Sequence, residues 1–190
     1  MTTRDHIVAE ADRLFYERGY EHTSFADIAN AVGISRGNFY HHFKSKDEIL
    51  DAVIDARMAS TRRMLETWEA QSAGPADRIR LFIRIVTANQ SRIMRHGCPV
   101  GTLCTELGKL GHSSQPQARQ LFTLFRAWLR RQFVLLGHKA DADALAMHVL
   151  AFSQGVAVLA HAFNDPRFVR QEVMRISAWL DGIAADAAAE

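Results

Sequence analysis

The chain has 190 residues, of which 48% are hydrophobic and 23% are charged. This composition is typical of a folded globular protein, and the length excludes a multidomain enzyme. The 23 Lys and Arg residues against 21 Asp and Glu residues leave a net charge of +2, so a nucleic-acid-binding surface would have to be local. We expect no membrane span and no signal peptide, because no apolar run reaches about 18 residues and the start M-T-T-R-D-H lacks an apolar segment. The sequence therefore predicts a cytoplasmic protein.

Apolar residues recur mostly at spacings of three and four, which predicts an all-α fold. Gly19 and Ser35 are typical of a helix end and a helix start, and Ser45 with Glu48 forms a capping-box pattern. Prolines lie in or beside polar clusters where further helices begin, at Pro75, Pro99, Pro116 and Pro166. The sequence predicts about nine helices, near residues 4–18, 25–32, 36–42, 46–71, 75–95, 100–109, 115–136, 141–163 and 166–185.

The predicted elements divide the chain into two parts. Residues 1–46 contain short helices and tight turns, whereas residues 47–190 contain helices of about 20 residues, long enough for a bundle with an interior. We place the boundary inside the helix that begins near Lys46, with no flexible linker. The first part is then a three-helix domain, residues 1–46, and the second a helical bundle, residues 47–190.

The most specific segment is F-A-D-I-A-N-A-V-G-I-S-R-G-N-F-Y-H-H-F-K-S-K, residues 25–46. An apolar stripe on its first helix is followed by Gly33 at a turn and by Ser35 at the cap of a second helix, whose Phe39 points inward. This pattern indicates a helix-turn-helix, with residues 36–42 as the recognition helix. From Ser35 to Lys46 there are three basic residues and no acid. The alternative is a solvated polar helix face on a small three-helix unit.

Side-chain chemistry divides the roles at this surface. Arg36 and Asn38 lie in the first turn, where Arg can pair with guanine and Asn with adenine. Hydroxyl, imidazole and ammonium groups nearby suit phosphate oxygens, and Gly37 would let the helix backbone approach DNA closely. The residues predicted to bind DNA are Thr23, Ser24, Ser35, Arg36, Gly37, Asn38, Tyr40, His41, His42 and Lys46.

The run G-I-S-R-G-N-F-Y-H-H-F-K-S-K-D-E-I-L resembles the signature of the TetR family of transcriptional regulators, and the match extends over about residues 4–54. The resemblance implies a homodimer whose two recognition helices meet successive major grooves of a palindromic DNA operator. It also implies that a bound ligand releases the protein from that operator. Asn38 departs from the Thr or Ala of many members.

The last two predicted helices could form the dimer interface. The final helix has apolar residues spaced 4, 3, 4 and 3, and the helix before it places Gly155 beside a second apolar stripe. Doubled by a two-fold axis, these helices would make a four-helix interface. The alternative is that both stripes serve only the core of one chain. The stripe residues are Val169, Val173, Ile176, Leu180 and Ile183 on the final helix, and Phe152, Val156 and Leu159 on the preceding one.

The long helices also carry candidates for an effector pocket. We expect His148 and His161 to be buried, where each would need a hydrogen-bond partner or a ligand. Every candidate could instead be an ordinary core residue. The predicted ligand-binding residues are Trp68, Phe82, Cys104, Phe125, Trp128, His148, Phe152 and His161, and weaker candidates are Phe122, Met147 and Gln154.

The segment H-G-C-P-V-G-T-L-C-T-E-L-G, residues 96–108, contains both cysteines. Cys98 lies just outside a helix start, where the partial positive charge favours a thiolate. The spacing resembles a branch of the family that includes sensors of electrophiles and oxidants, so Cys98 and Cys104 are possible thiol sensors. Inert packing and a metal site with His96 or His112 are the alternatives, but the spacing matches no standard zinc pattern, and we predict no metal or cofactor.

The sequence thus predicts a ligand-responsive repressor that binds double-stranded DNA as a homodimer, with a small-molecule effector of unknown identity. A small all-α enzyme using His148, His161 or Cys98 is one alternative, but G-x-S-x-G, phosphate-loop and H-E-x-x-H motifs are missing, so we predict no catalytic residue. A nonspecific architectural DNA-binding protein is another. The long second half, larger than DNA contact requires, argues against it.

Overall fold

The computed structural model describes residues 2–189, apart from the side chains of residues 36 and 186–189. Within these residues the protein is all-α, as predicted. The helices are α1 (Thr3–Arg18), α2 (Phe25–Val32), α3 (Arg36–His42), α4 (Lys46–Gln71), α5 (Pro75–Ala88), α6 (Gln90–His96), α7 (Pro99–Lys109), α8 (Gln115–Leu135), α9 (Ala142–Phe163) and α10 (Pro166–Ala189).

One predicted helix, over residues 75–95, is two helices in the structure. Asn89 ends α5 and precedes α6, with φ −109° and ψ 15°, outside the α-helical range. Its side-chain amide donates to the carbonyl of Ile85 over 2.9 Å, which satisfies one of the last carbonyls of α5. Because this break occurs at an asparagine, with neither glycine nor proline, the apolar periodicity does not reveal it.

The described chain forms two compact units, each made of two separate segments. Unit 1 comprises Met1–Thr61 and Pro99–Leu121, and unit 2 comprises Arg62–Cys98 and Phe122–Glu190. Helices α4 and α8 each have residues in both units. The unit that contains the helix-turn-helix is therefore larger than the segment 1–46, because it also includes α7 and the first turns of α8. The functional division at residue 46 stays a prediction.

Unit 1 has a core of fully buried side chains from α1, α2, α3 and α4, among them Ile7, Ile28, Phe39 and Leu50. Helix α7 packs against α1. The Arg57 guanidinium of α4 connects these parts, since its Nε donates to Asp12 Oδ1 over 2.6 Å and its Nη1 to the Pro99 carbonyl over 2.6 Å. The N-terminal helices and α7 are thus joined by both packing and a charged hydrogen-bond network.

Unit 2 is built around α9, which packs against α5, α6 and α10. Among the described residues, α9 alone is long and apolar enough to span a membrane by length and composition, with a mean hydropathy of 1.5. We expected no apolar stretch of this kind. Its buried side chains, including Val149, Val156 and Ala160, pack within unit 2, so a core position accounts for part of its apolar character.

The apolar stripe of α10 lies in the interior of unit 2. Val169, Ile176 and Leu180 are buried, and α10 packs against α5 and α9 of the same chain. On α9, Val156 is also buried, whereas Leu159 and Gly155 are exposed. The prediction that these stripes pack against a second copy is therefore wrong for the four buried residues, because periodicity identifies a buried face but not the chain that covers it.

Candidate nucleic-acid interface

The turn between α2 and α3 is fixed by local hydrogen bonds. Ser24 caps α2, since its Oγ accepts from the Asp27 amide over 3.1 Å while the Asp27 carboxylate accepts from the Ser24 amide over 2.8 Å. Hydrogen bonds from the Ser24 hydroxyl and amide hold the pKa of Asp27 below its usual value. Gly33 ends α2 in the left-handed region, with φ 74°, as its place in the pattern predicts.

Helix α3 is held against α2 by aromatic packing. Ser35 caps it, accepting from the Asn38 amide over 3.3 Å. Phe39 is fully buried, as predicted, with its ring 4.5 Å from that of Phe25. Tyr40 stacks on the same Phe25 ring at 4.9 Å and remains 49% exposed. The stacking fixes the Tyr40 ring at the surface, where its hydroxyl suits a phosphate oxygen.

The outward face of α3 carries most of the residues predicted to contact DNA. Gly37, Asn38, Tyr40 and His41 are exposed together with the cap Ser35, and His42 is half-buried. A Cβ added at Gly37 would meet nothing within 4 Å, so the chain itself does not require glycine there. Arg36 begins α3, and its side chain lies outside the described residues.

Thr23 does not belong to this surface. Its side chain is fully buried, and its hydroxyl donates to the Gly19 carbonyl over 2.7 Å. The prediction that Thr23 contacts phosphate is therefore wrong. The Ser24 hydroxyl is exposed but donates to the Asp27 carboxylate over 2.5 Å, which would place a bound phosphate beside a negative charge.

Lys46 is held within unit 1. Its Nζ donates to the Tyr20 carbonyl over 3.0 Å and lies 4.1 Å from the centre of the Tyr20 ring, a cation–π contact. A role for Lys46 at phosphate stays a prediction. The neighbouring exposed Lys44 donates to the Tyr40 carbonyl over 2.5 Å. At Ser45, the predicted cap is present, but the Glu48 carboxylate accepts from the amide of Lys44.

A polar network fixes the chain between α1 and α2, and no local sequence pattern indicates it. The Glu106 carboxylate of α7 accepts from the amides of Tyr20 and Glu21, each over 2.9 Å. The Tyr20 hydroxyl donates to Asp47 Oδ1 over 2.5 Å, and His112 Nε2 lies 3.2 Å from the same hydroxyl. Burial, followed by the hydrogen bond to Asp47, raises the pKa of Tyr20 above its usual range. These partners are far apart in sequence, so only the fold brings them together.

Four of the candidate effector residues come together in unit 2. The rings of Phe82 and Phe125 are 5.3 Å apart, and those of Trp68 and Trp128 are 5.9 Å apart. Trp128 is buried, and its Nε1 donates to the Glu69 carboxylate over 2.6 Å. One ring of each pair lies on α8, whereas Phe152 packs against the cluster around Val156.

The two candidate histidines are exposed, so the expectation that they are buried is wrong. The His148 ring lies 4.7 Å from the centre of the Trp179 ring on the surface of unit 2. His161 Nδ1 lies 2.9 Å from the Met94 carbonyl, which requires Nδ1 to carry the donated proton. The weaker candidate Met147 is also exposed, and Phe122 and Gln154 are half-buried.

The cysteines belong to different units, Cys98 to unit 2 and Cys104 to unit 1. Both are half-buried and not joined in a disulfide, and Cys98 packs against the apolar cluster around Val156. Cys104 therefore belongs to a different unit from the aromatic residues with which we grouped it. Within the described part of the chain, no three His, Cys, Asp or Glu side chains are placed to hold a metal ion.

Comparisons with known proteins identify relatives along most of the chain. The family model "Bacterial regulatory proteins, tetR family" matches residues 7–53. The HTH-type transcriptional repressor DhaR of Mycobacterium sp. (strain GP1) is 27% identical, over 80% of this chain and 79% of its own. The HTH-type transcriptional regulator TtgR of Pseudomonas putida is 28% identical, over 81% of this chain and 78% of its own. The crystal structure of a TetR transcriptional regulator from Legionella pneumophila has a TM-score of 0.82 and 26% identity, over 96% of this chain and 97% of that one.

Proposed function

The chain belongs to the TetR family of bacterial transcriptional regulators, and we propose that it is a repressor, bound as a homodimer to a palindromic operator and released by a small-molecule effector. The observation that carries this proposal is the outward face of α3. This face is polar and exposed, and it is held by the caps at Ser24 and Ser35 and by the buried Phe39. We propose that the protein acts in the cytoplasm, where bacterial DNA lies, and has no catalytic activity.

The proposed DNA contacts differ in what they contribute. Arg36 and Asn38 are assigned to base edges, and their loss should relax the preference for one operator position. Ser35, Tyr40, His41, His42 and Lys46 are assigned to the sugar-phosphate backbone, which fixes the register of the protein without reading sequence. Ser24 contributes mainly as a cap, because its hydroxyl proton is donated to Asp27.

We propose that residues 1–46 supply the DNA contacts and residues 47–190 the effector site and the dimer interface. Glu106 links the second part directly to the first, since its carboxylate accepts hydrogen bonds from the amides of Tyr20 and Glu21. Helices α4 and α8 both continue into unit 2, so a change in their direction there would reach unit 1 along the chain. Release requires only that the effector bind the conformation with low operator affinity more tightly.

The proposed dimer interface is the outward face of the last two helices. Of the eight exposed large hydrophobic side chains of the described residues, five lie on α9 and α10. Val158 is 65% exposed and Phe163 72% exposed. A Cβ at Gly155 or Gly182 would meet nothing within 4 Å, so helices of a second copy could approach closely there. Exposed apolar surface of this kind is typical of an interface. The five side chains are Met147, Val158, Leu159, Phe163 and Met174.

A gel-shift assay on the DNA that flanks the protein's own gene tests the proposal. We expect a sequence-specific complex at low salt, where phosphate contacts are strongest. Lys46→Ala should weaken binding to all DNA and lower the salt dependence, whereas Arg36→Ala should reduce mainly the preference for the operator. Lys44→Ala, the exposed neighbour of Lys46, is the matched control for charge alone. Failure to bind any flanking DNA at low salt would contradict the proposal.

Thiol modification is a second proposed route to release. An alkylating agent should then release operator DNA from the wild type but not from the double variant Cys98→Ser, Cys104→Ser. Because both thiols are half-buried, alkylation should be slow in the folded protein. Equal release from the double variant would reject this route while leaving the effector route intact.

A further inference from the structure

Polar side chains from three helices meet inside unit 2 beside the aromatic pairs. Gln132 of α8 is fully buried, and Trp128 lies one turn before it. Arg78 of α5 and Glu69 of α4 complete the group. Buried polar groups are expected to satisfy their hydrogen bonds. This group does so only in part.

Arg78 has an unsatisfied donor. Its Nη1 donates to Gln132 Oε1 over 3.3 Å and its Nη2 to the Glu69 backbone carbonyl over 3.2 Å, whereas its Nε is buried with no hydrogen-bond partner. A buried donor without an acceptor destabilises the folded protein. The guanidinium is therefore bound incompletely, and by neutral oxygens only.

The nearest acid is already engaged by α8. The Glu69 carboxylate accepts from Trp128 Nε1 over 2.6 Å and forms an ion pair with Arg131. Among the described residues, no carboxylate forms an ion pair with Arg78. A guanidinium always carries its charge and prefers a carboxylate, which can accept from Nε and Nη2 at once.

Gln132 is the side chain most loosely held in this group. Its two hydrogen bonds, from Arg78 over 3.3 Å and to Glu69 over 3.4 Å, are both longer than the usual range of about 2.7–3.2 Å. The Trp128 bond to the same carboxylate is short by comparison. An incoming acceptor could therefore displace the amide of Gln132 at small cost.

We propose that the Arg78 guanidinium binds the carboxylate of an amphipathic effector, which takes the place held by the Gln132 amide in the free protein. The apolar body of the effector lies against Trp128 and Trp68, whose rings flank the polar group at 5.9 Å from each other. Binding replaces a neutral acceptor of Arg78 Nη1 by a carboxylate and so pairs the charge of the guanidinium. Because Gln132 is on α8, its displacement acts on a helix that continues into unit 1. Only this last step, operator release, rests on the proposed function.

Isothermal titration calorimetry of the full chain with phenylacetate, benzoate and hexanoate tests the binding itself. Phenylacetamide lacks the charge and acetate lacks the apolar body, so we expect each to bind about tenfold more weakly than phenylacetate or worse. Arg78→Met should abolish saturable binding, whereas Arg84→Met, an exposed arginine on the same helix, should leave it unchanged. Gln132→Ala should strengthen binding, because the competing amide is gone.

Three results would overturn the proposal: equal binding by Arg78→Met and the wild type, equal binding of phenylacetate and phenylacetamide, or no saturable heat from any of the three carboxylates. A gel shift without carboxylate checks the proposed function separately. If operator binding is intact and carboxylates do not bind, only this inference fails. If carboxylates bind through Arg78 and no operator is recognised, only the proposed function fails.

Discussion

Replacing Glu106 with alanine removes both acceptors that hold the chain between α1 and α2. In the wild type the two carboxylate oxygens accept from the Tyr20 and Glu21 amides at 2.9 Å each. Neither amide lies in a helix, so no helical carbonyl replaces the lost acceptor. The Tyr20 amide is part-buried and loses its partner in a site with little access to water. The Glu21 amide is exposed and can bind water instead.

The magnitude follows from this difference in exposure. A hydrogen bond to a charged group contributes about 1.5–3 kcal/mol, and the exposed bond contributes less, so the variant should lose about 2–3 kcal/mol of unfolding free energy. For a chain of this length each kcal/mol lowers Tm by about 2–4 °C, which predicts a decrease of about 4–12 °C. Glu106→Gln keeps one carbonyl oxygen and should lose about half as much.

Hydrogen exchange measured by NMR resolves the effect to single amides, and circular dichroism gives Tm. In Glu106→Ala the Tyr20 amide should exchange about tenfold faster or more, since 1.4 kcal/mol corresponds to a factor of ten. Operator affinity should decrease as well, because α2 and α3 follow the loosened segment. Glu66→Ala, at an exposed glutamate of α4, is the control. Unchanged exchange at Tyr20 and an unchanged Tm would refute the role assigned to Glu106.

Four further predictions concern single positions. Gly37→Ala should leave Tm unchanged or raise it, because alanine is favoured over glycine in a helix by about 0.5–1 kcal/mol. The variant should still weaken operator binding in a gel shift. Unimpaired binding would show that DNA does not approach the helix there. Gly33→Ala should lower the free energy of unfolding by about 1–2 kcal/mol, because φ at this position is 74°. Val158→Glu should convert the homodimer to monomers in analytical ultracentrifugation; a dimer with wild-type affinity would exclude the outward face of α9 as the interface. Because the pKa of Tyr20 is raised in the folded protein, the neutral phenol stabilises the folded state. This contribution is complete below about pH 10, the pKa of an unperturbed tyrosine, and decreases as the pH rises toward the raised pKa. Tyr20→Phe should remove this loss of stability in denaturant titrations from pH 8 to 11, and an identical alkaline decline in the variant would contradict the assignment.

The helix-turn-helix was predictable from sequence because its determinants are local. Gly33 at the left-handed turn and the cap at Ser35 act within a few residues of their own position, and the structure has both. The inward Phe39 follows from helical periodicity alone. Thr23 was misassigned because its side chain is fully buried, and the polar residue type alone does not indicate that its hydroxyl is committed to the Gly19 carbonyl.

The helices of the second half of the chain could be predicted from sequence, but which of their faces are buried or exposed could not. Helix α9 is apolar around much of its circumference, so periodicity could not tell that Val156 is buried while Val158 and His148 are exposed. The apolar stripe of α10 predicted a buried face but did not indicate that α5 and α9 of the same chain cover it. The Glu106 and Arg78 contacts join helices distant in sequence, and no pattern in one sequence specifies such pairs.

The discontinuity of unit 1 also bears on how the protein is made. Residues 1–61 leave the ribosome first, but Glu106 and His112, which fix the turn after α1, belong to a segment that is synthesised later. At a synthesis rate of about 5–20 residues per second, the segment with Glu106 and His112 is made several seconds after the recognition helix. During that interval unit 2 begins to emerge between the two halves of unit 1. The nascent chain thus acquires a complete DNA-reading unit only once α7 and the start of α8 have been translated.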